Sequence, residues 1–281
     1  MKLLMRLATF SGAIFTAGLA TVWFAGAVHA QGAHHETHPS ISLPSQELLA
    51  GISHGATQGA TAFLVGLVAF AVLVWLPASL TEDVDQEKGL LLFCRWMWVS
   101  FGVLVVAGLV ELPVYAVRAS GEALSLGLLA EALIETRVGL LWTARIGLGL
   151  LVATAATYAT RRRNPAHWWV AGIVSTLLLM TLTQQSHAAA EGRLLPFAAD
   201  WLHVAAASVW VGGLLGFAIL LIGPLRAMPD DTRVKLLDRT VRRFSKVATV
   251  AVMSLLITGL YAYCSMCRAC RHWWTLLMAA L

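Results

Sequence analysis

The chain has 281 residues, 58% of them hydrophobic and only 12% charged, with a mean hydropathy of +0.74. An average soluble domain carries about 25% charged residues, so a water-soluble globule is excluded, and 23 glycines with 11 tryptophans suit helix packing in lipid and anchoring at its interface. The net charge of +5 sits in two basic clusters between apolar stretches rather than along one face, which argues for membrane topology and against a nucleic-acid partner.

In chain order, Lys2 and Arg6 precede an apolar stretch over 7–27, and Val28-His29-Ala30 offers small residues for signal peptidase. Residues 1–30 therefore read as a signal peptide or an uncleaved anchor. Residues 31–56 form a histidine-rich segment with His34, His35, His38 and His54, and either reading of the leader exports it. Six later stretches, 57–79, 93–117, 139–160, 167–186, 198–222 and 247–263, are each long and apolar enough to cross a bilayer, which takes about 20 residues. Between the second and third, 122–135 is apolar on one face and too short to cross, so it predicts an interfacial helix. The fold class is all-α, a polytopic transmembrane bundle of about six spans occupying 57–263.

Orientation follows from lysine and arginine, which favour the cytoplasmic side of short loops. Arg161, Arg162 and Arg163 mark one loop; Arg226, Arg233, Lys235, Arg239, Arg242, Arg243 and Lys246 mark another. Both are expected inside, and the mature N-terminus outside. The acidic run Glu82, Asp83, Asp85 and Glu87 falls on the inner side and is a weak dissent. This arrangement gathers His34, His35, His38, His54, His187 and His203 at the outer side, with His54 just before the first span. Imidazole is a common copper ligand, and thioether suits the cuprous ion. His203 stands out: Asp200, Trp201 and His203 open a helix continuing through Ala205, Ala206, Ala207, Ser208, Gly212 and Gly213. Small residues admit a neighbouring helix closely, and His203, Ala207 and Trp210 share a face, so the imidazole is expected to point into the bundle. A histidine at a helix end can equally be merely interfacial.

Deeper in the apolar stretches lie Glu111 and Arg145. Intramembrane ionisable residues are functional candidates, although pairing with each other would give them a purely structural role. Met97, Met180 and Met253 are spaced as soft ligands could be, but core filling explains them as well.

Taken together, these residues resemble a known family. Asp200-Trp-Leu-His203 through Trp210, Gly212 and Gly213 looks like the hallmark helix of the copper resistance protein D (CopD) family, and Ser186-His187-Ala188-Ala189-Ala190 resembles the motif before it. Thr136 to Arg145, with Gly139 and Trp142, resembles the family's third-helix entry; Arg243-Phe244-Ser245 and Thr258-Gly259-Leu260-Tyr261 resemble its later pattern. The resemblance covers about 50–263. It implies an integral inner-membrane protein, not an enzyme, that moves copper ions for copper resistance or homeostasis, embedded in membrane lipid and partnered by a periplasmic CopC-type copper-binding protein. By that resemblance His187 and His203 are the expected ligands, supported by Trp210 and Arg145, with Glu111 and Asp200 nearby.

After Tyr263 the sequence departs from the family. Residues 264–281 carry Cys264, Cys267 and Cys270 in a C-x-x-C-x-x-C spacing that could bind copper or zinc, while a truncated or frameshifted tail would look the same. Cys94 stands alone. Two rival functions share the same histidines: a membrane b-type cytochrome ligated by His187 and His203, and a non-transporting copper sensor or assembly factor. Nothing resembles a nucleotide-binding loop.

Overall fold

The computed structural model describes residues 44–79, 86–186, 194–223, 225 and 228–266. Every regular element among them is helical, in the order α1 (Pro44–Phe70), a π-helical turn (Ala71–Trp75), α2 (Leu76–Ser79), α3 (Gln86–Ser120), α4 (Leu126–Glu135), α5 (Arg137–Arg161), α6 (Pro165–Thr183), α7 (Leu194–Ile222) and α8 (Asp230–Met266). Among the described residues, six helical stretches are long and apolar enough to cross a membrane: Glu47–Ser79, Gln86–Ser120, Arg137–Arg161, Ala166–Thr183, Leu194–Ile222 and Asp230–Ser265. The six expected spans are thus present, and α4 matches the short helix expected between the second and third.

Local chemistry starts several of these helices. The Ser125 hydroxyl accepts the Leu128 N–H at 3.1 Å, Thr136 accepts from Gly139 at 3.0 Å, and Asn164 accepts from Ala166 at 2.9 Å. Each such cap contributes about 1 kcal/mol, and Pro165 follows Asn164 at the first helical position, where a missing N–H costs nothing. The π turn also has a cause. Pro77 has no N–H to offer the preceding turn, and the Leu76 N–H reaches back five residues to the Ala71 carbonyl. The wider turn leaves Leu73 39% exposed while its four neighbours are buried.

The sequence reading ended two elements differently. The first helix begins at Pro44, so His54 lies within it rather than before it. The last begins at Asp230, so Arg233 through Lys246 lie on a helix and not in a loop. Asp230 and Asp231 sit in its positive first turn, and Asp238 accepts both Arg242 Nε contacts at 3.0 and 2.8 Å. These pairs sustain helical backbone where hydropathy alone sees only charge.

The contacts fix how the helices run. Gly66 lies against Ser208 and Gly212, and Gly216 against Phe70; the constant offset means that α1 and α7 are parallel. By contrast, Ser100 donates to the Ala60 carbonyl at 2.7 Å while Glu111 meets His54, so α3 runs antiparallel to α1. The pairs α3 with α5, α5 with α6, and α7 with α8 are antiparallel by the same test. One end of the bundle therefore holds His54, Glu111, Arg145 and His203; the other holds Arg161 to Arg163 and the start of α8.

A Cβ added at Gly66 would stand 2.3 Å from the Ser208 carbonyl oxygen and 2.5 Å from Gly212 Cα. Only glycine permits this crossing. Lipid tails are as apolar as leucine, so close approach and hydrogen bonds, rather than hydrophobic burial, hold such helices together. The core forms around α1 and the π turn, with Leu64, Leu67, Phe70, Trp75, Phe93 and Met97 at most 1% exposed. Val106, Ile173, Ile257 and Leu260 lie more than half exposed, as lipid-facing residues should. Met97 fills the core as one expectation had it, whereas Met180 (40%) and Met253 (52%) face outward and fill no core.

Candidate functional site

The polar groups of the histidine end form a network through α1, α3, α5 and α6. His54 Nδ1 lies 2.8 Å from Glu111 Oε1, and Thr57 Oγ1 donates to Glu111 Oε2 at 2.8 Å. An ionised carboxylate only accepts, so Nδ1 carries the hydrogen and Nε2 becomes the acceptor, meeting the Gln58 amide nitrogen at 2.9 Å. His54, Thr57 and Gln58 share a face because they stand three and four residues apart. Pro113 follows two residues after Glu111 inside α3, depriving the Leu109 carbonyl of its helical partner and marking this stretch as an interrupted turn.

Arg145 is the other deep charge, 1% exposed. It donates through Nε to Thr181 Oγ1 at 3.1 Å, and through one terminal nitrogen to the Thr181 carbonyl at 2.9 Å and Gln185 Oε1 at 2.7 Å. The direct Glu111–Arg145 pair that was one of the two readings is absent: among the described residues no hydrogen bond or ion pair joins the two, although each feels the other's charge. Register explains this. Trp142 packs over Gly108, which sets Arg145 about six residues, or about 9 Å along the axis, below Glu111. Each side chain instead takes partners at its own depth, as buried charges must.

On the opposite side, His203 Nδ1 lies 2.9 Å from Thr258 Oγ1. That hydroxyl already donates to the Ser254 carbonyl at 2.7 Å, so it accepts from the imidazole, again making Nε2 the lone-pair nitrogen. His203 is partly buried and turned to a neighbouring helix, as expected; Trp210, two turns on, is also partly buried. The offset between α1 and α7 puts Asp200 level with His54, and His203 level with Thr57. Asp200 Oδ2 is buried with no hydrogen-bond partner. An unpaired buried carboxylate oxygen calls for an explanation, and at this depth it is an acceptor without a donor.

His34, His35, His38 and His187 lie outside the described residues, as do Cys267 and Cys270. Cys264 is a free, partly buried thiol near the end of α8, and Cys94 is buried beside Thr160. Among the described residues no group of three His, Cys, Asp or Glu side chains gathers into a ready-made metal cage. What the histidine end offers is two hydrogen-bonded imidazoles, His54 turned to α3 and His203 to α8, and one unsatisfied carboxylate oxygen at similar depths. Thr57, Gln58, Thr181 and Gln185 were not expected at the site, and Thr258 entered only through the family pattern it opens. For Thr57 and Gln58 the signal is the His54-x-x-Thr57-Gln58 spacing, visible only if the helix is started early enough.

The matches to known proteins fit this layout. The model of the copper resistance protein D-like N-terminal domain matches residues 45–196, which contain His54, Glu111, Arg145 and their partners. The copper transport protein CutJ of Bacillus subtilis (strain 168) is 31% identical over 209 residues, 72% of this chain and 37% of that protein. Copper resistance protein D of Pseudomonas syringae pv. tomato is 30% identical over 169 residues, 58% of this chain and 53% of that protein. The chain thus spans from over a third to about half the length of these curated relatives. No solved structure matches. With more than half its length matched by the family's N-terminal domain, the chain belongs to the copper resistance protein D-like family.

Proposed function

We propose that the protein handles copper at the histidine end of the bundle and passes it across a bacterial inner membrane, with that end facing the periplasm. The observation that supports this is the pair of partly buried imidazoles at that end, His54 held by Glu111 on α3 and His203 held by Thr258 on α8. A ligating histidine characteristically donates its other N–H to such a partner, which fixes the ring and raises its basicity. Glu111 and Thr258 are then positioning residues. Copper would be met by His54 and His203 in turn, displacing the Gln58 amide from His54 Nε2, with His187 and the Asp200 carboxylate as further donors. Arg145 holds α5 to α6 beside this site. The histidine-rich stretch 31–56 suits a collecting role, and a periplasmic CopC-type protein is the proposed donor or acceptor. Copper is cargo, so the protein is not an enzyme.

The test is His203→Ala. Small residues around His203 should tolerate the truncation, so the protein should insert at normal abundance while copper-dependent accumulation or tolerance is lost. His187→Ala should behave alike, and the double variant little worse, because ligands of one ion are not additive. Removing His34, His35 and His38 together should only raise the copper concentration needed. Wild-type copper handling by His203→Ala at equal abundance, or a haem absorbance in the purified protein, would overturn the reading.

A further inference from the structure

The opposite end of the bundle carries a cleft of about 560 Å³ lined by Leu73, Pro77, Arg239, Arg242, Arg243, Lys246 and Val247. Its basic residues are not a random surface scatter. Arg239, Arg242, Arg243 and Lys246 stand at i, i+3, i+4 and i+7 along α8, which is one helical face. Phe244, between them in sequence, turns the other way and packs on Phe70, Phe217 and Gly213, which holds the basic face in position against the π turn. Like charges at this spacing repel. The acid Asp238 is engaged by Arg242, and among the described residues Arg243 and Lys246 have no acidic partner, although both are exposed.

The opposite wall is apolar. Leu73 is the residue the π turn pushes outward, Pro77 follows one turn later, and Val247 begins the apolar part of α8. The cleft therefore straddles the step from charged to apolar helix surface, where a bilayer's headgroups meet its acyl chains. Guanidinium pairs suit phosphate oxygens bidentately and an ammonium adds a point charge, while basic pockets between membrane helices near the interface suit anionic headgroups. We infer that this cleft binds an anionic phospholipid, its phosphodiester held by Arg242, Arg243 and Lys246 and the start of its acyl chains lying on Leu73 and Val247. The lipid would tie the charged start of α8 to the π turn and α2.

The test uses the purified full chain, first reconstituted in phosphatidylcholine with or without phosphatidylglycerol, then moved to neutral detergent. Native mass spectrometry reads the retained lipid, and a melting curve reads stability. Wild type should keep phosphatidylglycerol and melt higher with it. R243Q/K246Q should bind it about 30-fold more weakly and lose the melting shift, and R243Q or K246Q alone about fivefold, since each charge near an anionic surface contributes comparably. R161Q/R162Q, in the other basic cluster, should bind like wild type. Retention unchanged in R243Q/K246Q, or equally reduced in R161Q/R162Q, would overturn the site. If inorganic phosphate raised the melting temperature as much as the lipid does, the occupant would be a free anion and the lipid assignment would fall. The single variants carry the test if the double variant does not fold.

Discussion

The two ends of the bundle hold charge in opposite ways. At the histidine end Arg145 is buried and Glu111 mostly so; Glu111 is bonded to the His54 and Thr57 side chains, and Arg145 to side chains and the Thr181 carbonyl, while each senses the other's charge. At the arginine end most of the charges are exposed and pair locally, which supports the helix they sit on but ties little of the bundle together. Removing a buried charge strands its partners, whereas removing an exposed one merely returns a side chain to water. The difference teaches that charge count alone does not locate function: the end with more charge is the less committed, and the end with two deep charges holds the network.

Substitutions can break or sharpen that contrast. Arg145→Ala should have the largest effect, stranding Thr181, Gln185 and the charge of Glu111, at a cost of roughly 3–5 kcal/mol; loss of folded protein in a detergent melting assay checks it. Gly66→Ala should follow at roughly 1–3 kcal/mol, because its Cβ would meet backbone rather than a movable side chain. Its melting temperature should fall while Gly102→Ala, which meets open space, should not. Glu111→Gln keeps the shape and loses the charge, and should cost about 1–2 kcal/mol, with copper affinity falling more than stability as His54 loses its anchor. Arg163→Gln should be smallest, within about 0.5 kcal/mol, since its Glu87 pair is exposed. A large effect of Arg163→Gln or a negligible one of Arg145→Ala would erase the distinction between the ends.

The six spans were legible because apolar runs of bilayer length have few alternative explanations, and His203 because small residues along one helix face imply a close neighbour. Partnerships were not. Glu111 and Arg145 could be read from their rarity as functional groups or as a mutual pair, and only axial register, which Trp142 and Gly108 set across two helices, decides on pairing. His54 read as flanking because the stretch before Thr57, with Gly51, Ser53 and Gly55, is too polar for a hydropathy window, yet it is helical. The charged start of α8 was hidden for the same reason. The acidic dissent near residue 87 has a plain cause: Glu87 pairs with Arg163, so that acid sits at the arginine end as a counter-ion.

The central claim is that copper is handled by His54 and His203, with Asp200 one turn from His203. Copper bound per purified chain, measured after equilibration with a cuprous chelator buffer, tests it most directly in wild type, His54→Ala, Asp200→Asn and His203→Ala at matched melting temperatures. Bound copper is expected in wild type, with a clear loss in His54→Ala and in His203→Ala and weakened binding in Asp200→Asn. Equal copper content in all four proteins would contradict it.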